Sequence, residues 1–269
     1  FEKTTNQSTN EINQLLRSSM KHLENQAQIP IELLMKHVPM FIDLYCNRND
    51  ALLRSTIRDF FGILCQKSDV LKDFLMEMVY QYQTLEFDLI SFFLHIVQYE
   101  TNNEIFSSFF TFLLSSIQIC LKDSDNCEEC FSELMLINNS KRIDAFIPKD
   151  SNHPIIEPII DFDDPNFIWT SLVDISKFIL PLFEWKEKTQ EFFVFVLKRM
   201  NENECMKLVA ITRTLVTKMF VYEGLSRAAF IVENRPEFRE KIANALQITK
   251  ESVNLWPASC KHFSNIFFE

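Results

Sequence analysis

The residues that could carry chemistry in this chain are few and poorly grouped. Cys127-Glu128-Glu129-Cys130 is the one C-x-x-C, and Cys120 and His153 could complete four zinc ligands. A structural zinc site normally presents two close ligand pairs, and here the second pair is missing. The expected state is therefore a partly buried pair of thiols, and a redox role lacks the βαβ surroundings it requires. Histidines 22, 37, 95, 153 and 262 form no H-E-x-x-H, and His95 lies amid Phe93, Leu94 and Ile96. That setting predicts a hydrogen-bonded core or boundary histidine rather than a catalytic base. Asp161, Asp163 and Asp164 imitate a calcium cluster without the Gly and closing Glu of a calcium loop, so Asp164-Pro165 is taken as a capped helix start. No catalytic residue, metal or cofactor is expected.

Basic residues offer a different chemistry. Arg54 and Arg58 fall on one face of a helix, while Lys198, Arg199, Lys207, Arg213 and Lys218 make two later helices basic. Nucleic-acid binding calls for a strong positive balance with interleaved aromatics, and the net charge is −10. Arg54, with Asp50 ahead of it, is expected to make structural hydrogen bonds between repeats. The later cations are the candidate surface for a protein partner. Charge is uneven: positions 123 to 164 hold eleven acids against three bases, and positions 198 to 250 hold ten bases against six acids. The plain reading is a solvated acidic loop and ordinary helix surfaces, and the other is a pair of opposed patches that steer different partners.

The elements that would position these residues are helices. Only Gly62 and Gly224 occur, against an average near ~7%. Phosphate-cradling loops, dinucleotide turns and nucleophile elbows need glycine for positive φ and close backbone approach, and they cannot be built here. Apolar residues recur at helical spacing almost throughout, as in Leu34, Val38, Phe41, Ile42 and Tyr45, then Leu53, Ile57, Phe60, Phe61 and Leu64. Asn10, Pro30, Asp50, Ser68, Asp164-Pro165, Asn201 and Pro236 stand where caps or first-turn residues belong. The pattern predicts about a dozen helices of roughly 12 to 20 residues, two per repeat of about 35 to 45 residues. Residues 1–138 form N-terminal repeats, 139–164 a Pro-rich acidic loop, and 165–269 further repeats of the same array. Phe92, Phe93, Phe106, Phe109, Phe110 and Phe112 spread over several helix faces, which predicts an inner layer and leaves room for a partner-facing stripe.

Ile105 to Leu121 is uncharged, yet its Ser and Thr content favours a buried helix over a membrane span. Seven cysteines scattered among apolar neighbours predict a reducing, intracellular setting, in nucleus or cytoplasm. Phe1, where a Met would be expected, predicts a piece of a longer chain.

Val38-Pro39 through Asp43, then Asp50-x-x-Leu53-Arg54 and on to Phe61-Gly62-Ile63-Leu64, resembles a HEAT unit: a first helix opened by Pro, a second capped by Asp, and an early Arg that reaches the next repeat. Leu53-Arg54-Ser55, Asp59, Phe61, Leu64 and Leu71-Lys72-Asp73-Phe74-Leu75-Met76, followed by Glu100-Thr101, Glu104-Ile105 and Leu113-Leu114, resemble the solenoid of the protein phosphatase 4 regulatory subunit 3 family, also called SMEK or Falafel. Ile231-Val232, Phe238, Ile242-Ala243-Asn244-Ala245-Leu246 and Asn254-Leu255 continue the likeness beyond the acidic stretch. The resemblance implies an all-α, HEAT/ARM-type α-solenoid, a right-handed superhelix of paired antiparallel helices. It also implies a non-catalytic subunit that targets a Ser/Thr phosphatase, with the phosphatase catalytic subunit and a scaffold subunit as partners. An unrelated HEAT scaffold, such as a transport-receptor fragment or small-GTPase effector, and a helical enzyme with an unrecognised site are the alternative readings.

Overall fold

The structure, a computed structural model, describes residues 8–25, 31–47, 50–82, 85–121, 128–139, 143–146, 165–182, 186–217 and 221–268. Among these residues all regular structure is helical and no strand occurs. The chain divides into two compact units, Phe1–Cys120 and Leu121–Glu269. The first holds α1 (Thr9–Glu24), α2 (Ile31–Asn47), α3 (Ala51–Lys67), α4 (Asp69–Val79), α5 (Phe87–Val97) and α6 (Asn103–Cys120). The second holds α7 (Glu128–Asn139), α8 (Pro165–Ile179), α9 (Glu187–Leu197), α10 (Glu202–Thr217), α11 (Val221–Asn234), α12 (Arg239–Ala245), α13 (Lys250–Val253) and α14 (Ser264–Phe268). Short 3-10 turns at Ile143–Phe146, Pro236–Phe238 and Ala258–Phe263 join them.

Local chemistry sets several helix starts. The Asp50 carboxylate accepts the Leu53 N–H at 2.9 Å, and the Ser68 hydroxyl accepts the Leu71 N–H at 3.2 Å. Asn201 and Glu204 exchange reciprocal bonds of 2.8 and 2.9 Å at the head of α10. Each satisfies an amide that the helix itself leaves orphaned. Ser8 caps α1 through a reciprocal capping box with Glu11, and Asn10 stands in the first turn. One expectation is corrected. Pro39 does not open a helix but lies inside α2. It withholds the N–H that would bond the Met35 carbonyl, a loss of about 3 kcal/mol in an isolated helix. Leu34, Val38, Phe41, Ile42 and Tyr45 are all buried around it, and at about 1.5–3 kcal/mol per large side chain their burial outweighs that loss.

Within each unit the helices pack on their next-but-one neighbours. α1 lies on α3 and α3 on α5, while α2 lies on α4; in the second unit the series are α7, α9, α11 and α8, α10, α12. Helices adjacent in sequence also pack, as α5 does on α6 and α10 on α11. Aromatic rings knit the first core. Phe41 meets Phe61 at 5.6 Å, Phe61 meets Phe92 at 5.5 Å, and Phe93 meets Phe109 at 6.2 Å, all near edge-on, a favoured ring geometry. Every residue of α5 is buried except Asp88, so it is the inner helix that its all-round apolar pattern predicted. α6 divides its phenylalanines: Phe106, Phe109 and Phe110 are buried, whereas Phe112 is half-buried between the exposed Ile105 (44%) and Ile119 (61%). Of the stretch 139–164, only Asn139 and the turn Ile143–Phe146 are described; its prolines and its acidic run lie outside the described residues.

Candidate functional site

The thiols of Cys46, Cys65 and Cys205 are unsuited to nucleophilic chemistry. Burial pushes Cys65 and Cys205 up to about 12, and burial with the nearby Asp88 carboxylate takes Cys46 to about 11. All are protonated near neutral pH. Cys130 and Cys260 are also buried, and the six described cysteines are free. Cys120 donates to the Leu85 carbonyl at 2.7 Å. Cys127 and His153 lie outside the described residues, and among the described ones no cluster of metal-ligating side chains forms. His95 sits at the edge of the core with its Nε2 at 3.4 Å from the Tyr99 hydroxyl. The hydroxyl end of Tyr99 in turn lies against the bare backbone of Gly62, where a Cβ would stand 2.5 Å from its hydroxyl.

Arg54 is the most connected cation. From α3 its Nε donates to the Tyr45 carbonyl at the end of α2 (3.0 Å), and its guanidinium grips both oxygens of Asp88 in the first turn of α5. The planar fork suits a carboxylate, and the Asp88 charge also lies at the positive end of its helix. Asp50 acts within α3 as its cap. Arg58, a turn along, donates to Ser91 Oγ at 3.5 Å.

Sequence reasoning missed that this arrangement recurs. Lys67 of α3 binds the Leu23 carbonyl at the end of α1, Arg227 of α11 binds the Leu182 carbonyl beyond α8, and Arg235 binds the Leu197 and Met200 carbonyls at the end of α9. Each cation donates to a carbonyl at or just beyond the end of an earlier helix, on the side of its negative dipole end. The residues so tied are 44 apart for Lys67 and Leu23, 45 for Arg227 and Leu182, and 38 and 35 for Arg235 with Leu197 and Met200; Arg54 is 9 residues from Tyr45 and 34 from Asp88. The carbonyl ties of Lys67, Arg227 and Arg235 match the repeat length of about 35 to 45 residues, but nothing local in the sequence marks them.

The proposed partner surface is only partly gathered. Lys198, Arg199, Lys207 and Arg213 are exposed, and Lys218 lies outside the described residues. Lys198 and Arg199 stand together at the carbonyl end of α9, where Arg199 also covers the Phe195 ring at 4.1 Å. Lys207 and Arg213 share α10 but, at 100° per residue, point about 120° apart. Acids interleave with these cations, and Glu202 is already paired with Lys241 at 2.6 Å. No helix among the described residues is long and apolar enough to cross a membrane. Comparison of the chain with protein-family models, curated proteins and solved structures found no match.

Proposed function

We propose that the chain is a HEAT/ARM-type α-solenoid segment that acts as a non-catalytic regulatory or targeting subunit of a phosphatase 4-type Ser/Thr phosphatase. The observation that carries the solenoid reading is the spacing of the polar ties. Lys67, Arg227 and Arg235 hold carbonyls at or just beyond the ends of helices 35 to 45 residues earlier, a spacing that suits stacked repeats with nearest-neighbour interfaces. Protonated thiols and the deficit of glycine favour binding over catalysis. The phosphatase assignment rests on the resemblance of Leu53-Arg54-Ser55, Leu71 to Met76 and Ile242 to Leu246 to the regulatory subunit 3 family. A surface built from successive helices holds an enzyme and its substrate together and raises their effective concentration with no chemistry of its own.

Affinity purification of the full-length protein with identification of its partners tests this. A phosphatase 4-type catalytic subunit, alone or with a scaffold subunit, is the expected companion. Repeated recovery of transport cargo or a small GTPase without any phosphatase subunit would replace this reading with that of an unrelated HEAT scaffold.

A further inference from the structure

The outward faces of α4 and α6 join into one surface of the first unit. The two helices run parallel, since Lys72 at the head of α4 meets Glu100 just ahead of α6, and Tyr80, just past the end of α4, meets Phe109 and Phe112 midway along α6. On α4 an exposed row runs Val70, Asp73, Glu77 and Tyr80, and on α6 an exposed to half-buried row runs Ile105, Ser108, Phe112, Ser115 and Ile119. Steps of three and four residues keep each row on one side of its helix, as the a and d positions of a coiled coil are kept. The rows meet where the Tyr80 ring packs on Phe112 at 5.0 Å. Large apolar side chains stand open along the whole surface: Val70 is 61% exposed and Tyr80 55%, beside Ile105 and Ile119.

The chemistry of the surface selects its occupant. Ser108 and Ser115 are small and sit between the large side chains of the α6 row, which leaves room for an opposing side chain. The Ser115 hydroxyl already donates to the Thr111 carbonyl at 3.0 Å, and Ser108 lies beside the Tyr80 hydroxyl. An apolar group seated there therefore strands no polar atom. From Ile105 to Ile119 the row is about 21 Å long at 1.5 Å per residue, the length of an opposing helix of about four turns. Its charged flank is acidic. Asp73, Glu77 and Glu104 are exposed and in no ion pair among the described residues, α6 has no lysine or arginine, and the one cation of α4, Lys72, is buried against Asp69 and Glu100. A second copy docking through the same face would set acids against acids, and an anionic bilayer would be repelled. We propose that the α4–α6 face is a docking site for a cationic amphipathic helix of a protein partner. Its apolar residues, at i, i+3 and i+7, seat among Ile105, Phe112 and Ile119, and its lysines or arginines meet Asp73, Glu77 and Glu104. The face uses none of the cations of α9 and α10, so it does not depend on the phosphatase reading.

A labelled helical peptide of about 18 residues, with one stripe of leucines flanked by lysines, serves as the probe for the full chain in fluorescence anisotropy. A peptide of the same composition with the stripe scrambled is its control. Saturable one-to-one binding of the striped peptide is expected, at least about tenfold tighter than that of the scrambled one. Ile105→Ser with Ile119→Ser and, separately, Asp73→Lys with Glu77→Lys should each weaken it about tenfold or more, with circular dichroism unchanged. Should the serine variant lose helical signal, the charge-reversed one decides. Glu233→Lys with Glu240→Lys makes the same change of charge at exposed acids of the second unit. At about 0.15 M salt, where charges beyond about 8 Å are screened, it should bind within about threefold of the parent. Equal affinity for the scrambled peptide, or an equal loss in the second-unit variant, would overturn the proposal, because the attraction would then be bulk charge. So would a parent chain that sediments as a dimer, or with phosphatidylserine vesicles, until Ile105 and Ile119 are replaced, since a second copy or a membrane would then hold the face.

Discussion

Cys65 and Cys205 hold their protons to about 12, against 9.0 for an ordinary thiol. The unfolded chain releases those protons first, so it binds fewer protons than the folded chain as soon as the pH passes 9.0, and stability falls with rising pH from there to about 12. The slope reaches about 1.4 kcal/mol per pH unit for each thiol. Lys72 acts in the same direction only later. Burial pulls its ammonium down, but hydrogen bonds to Asp69 and Glu100 outweigh this and hold it above 10.5, so its contribution is complete below that value and lost above it. Denaturant unfolding at pH 8, 9 and 10 should therefore show a decline already between 9 and 10, and Cys65→Ala with Cys205→Ala should flatten it. A parent protein equally stable at pH 8 and 10 would show that these thiols are not buried as described. Burial of the cysteines was legible in their apolar neighbours, and Arg54 was legible from its place early in a capped helix. Arg227 and Arg235 were not, because nothing local marks which distant carbonyl a cation will reach.

Helix packing has its own test at Gly62. A Cβ there would lie 2.5 Å from the Tyr99 hydroxyl and 2.9 Å from its ring carbon Cζ, and His95 stands beside that ring at 5.5 Å. Alanine gains up to about 1 kcal/mol in helix propensity, whereas overpacking a filled interface costs about 1–3 kcal/mol. Gly62→Ala is thus expected to lower stability by about 1 kcal/mol, and Tyr99→Phe in the same chain should recover part of the loss. A Gly62→Ala protein more stable than the parent would mean that Gly62 of α3 and Tyr99, in the turn after α5, meet less closely than the structure shows. Caps at Asp50, Ser68 and Asn201 were readable because a side-chain oxygen and the amides it serves are a turn apart. Pro39 misled for the opposite reason: its local preference opposes the helix interior, and burial of its neighbours decides the outcome. The near absence of glycine anticipated an all-helical chain, since few turns that require positive φ can be made without it.

At the scale of the molecule, two helical units carry polar ties at repeat-length spacing. Lys198, Arg199, Lys207 and Arg213 were readable as exposed cations, but their divergence on α9 and α10 depends on helix phase and on neighbouring acids. Oppositely charged surfaces govern encounter rate more than final affinity, so Lys198→Glu with Arg199→Glu and Lys207→Glu bears on association rather than on folding. The proposed function has this chain engage a phosphatase without chemistry of its own. The most direct measurement is binding of the purified 269-residue chain to a purified phosphatase 4-type catalytic subunit, with and without its scaffold subunit, by biolayer interferometry. A saturable complex is expected in at least one arrangement, with association slowed by the charge-reversed variant whose circular dichroism matches the parent. No binding in either arrangement by a chain that is folded and helical would contradict it.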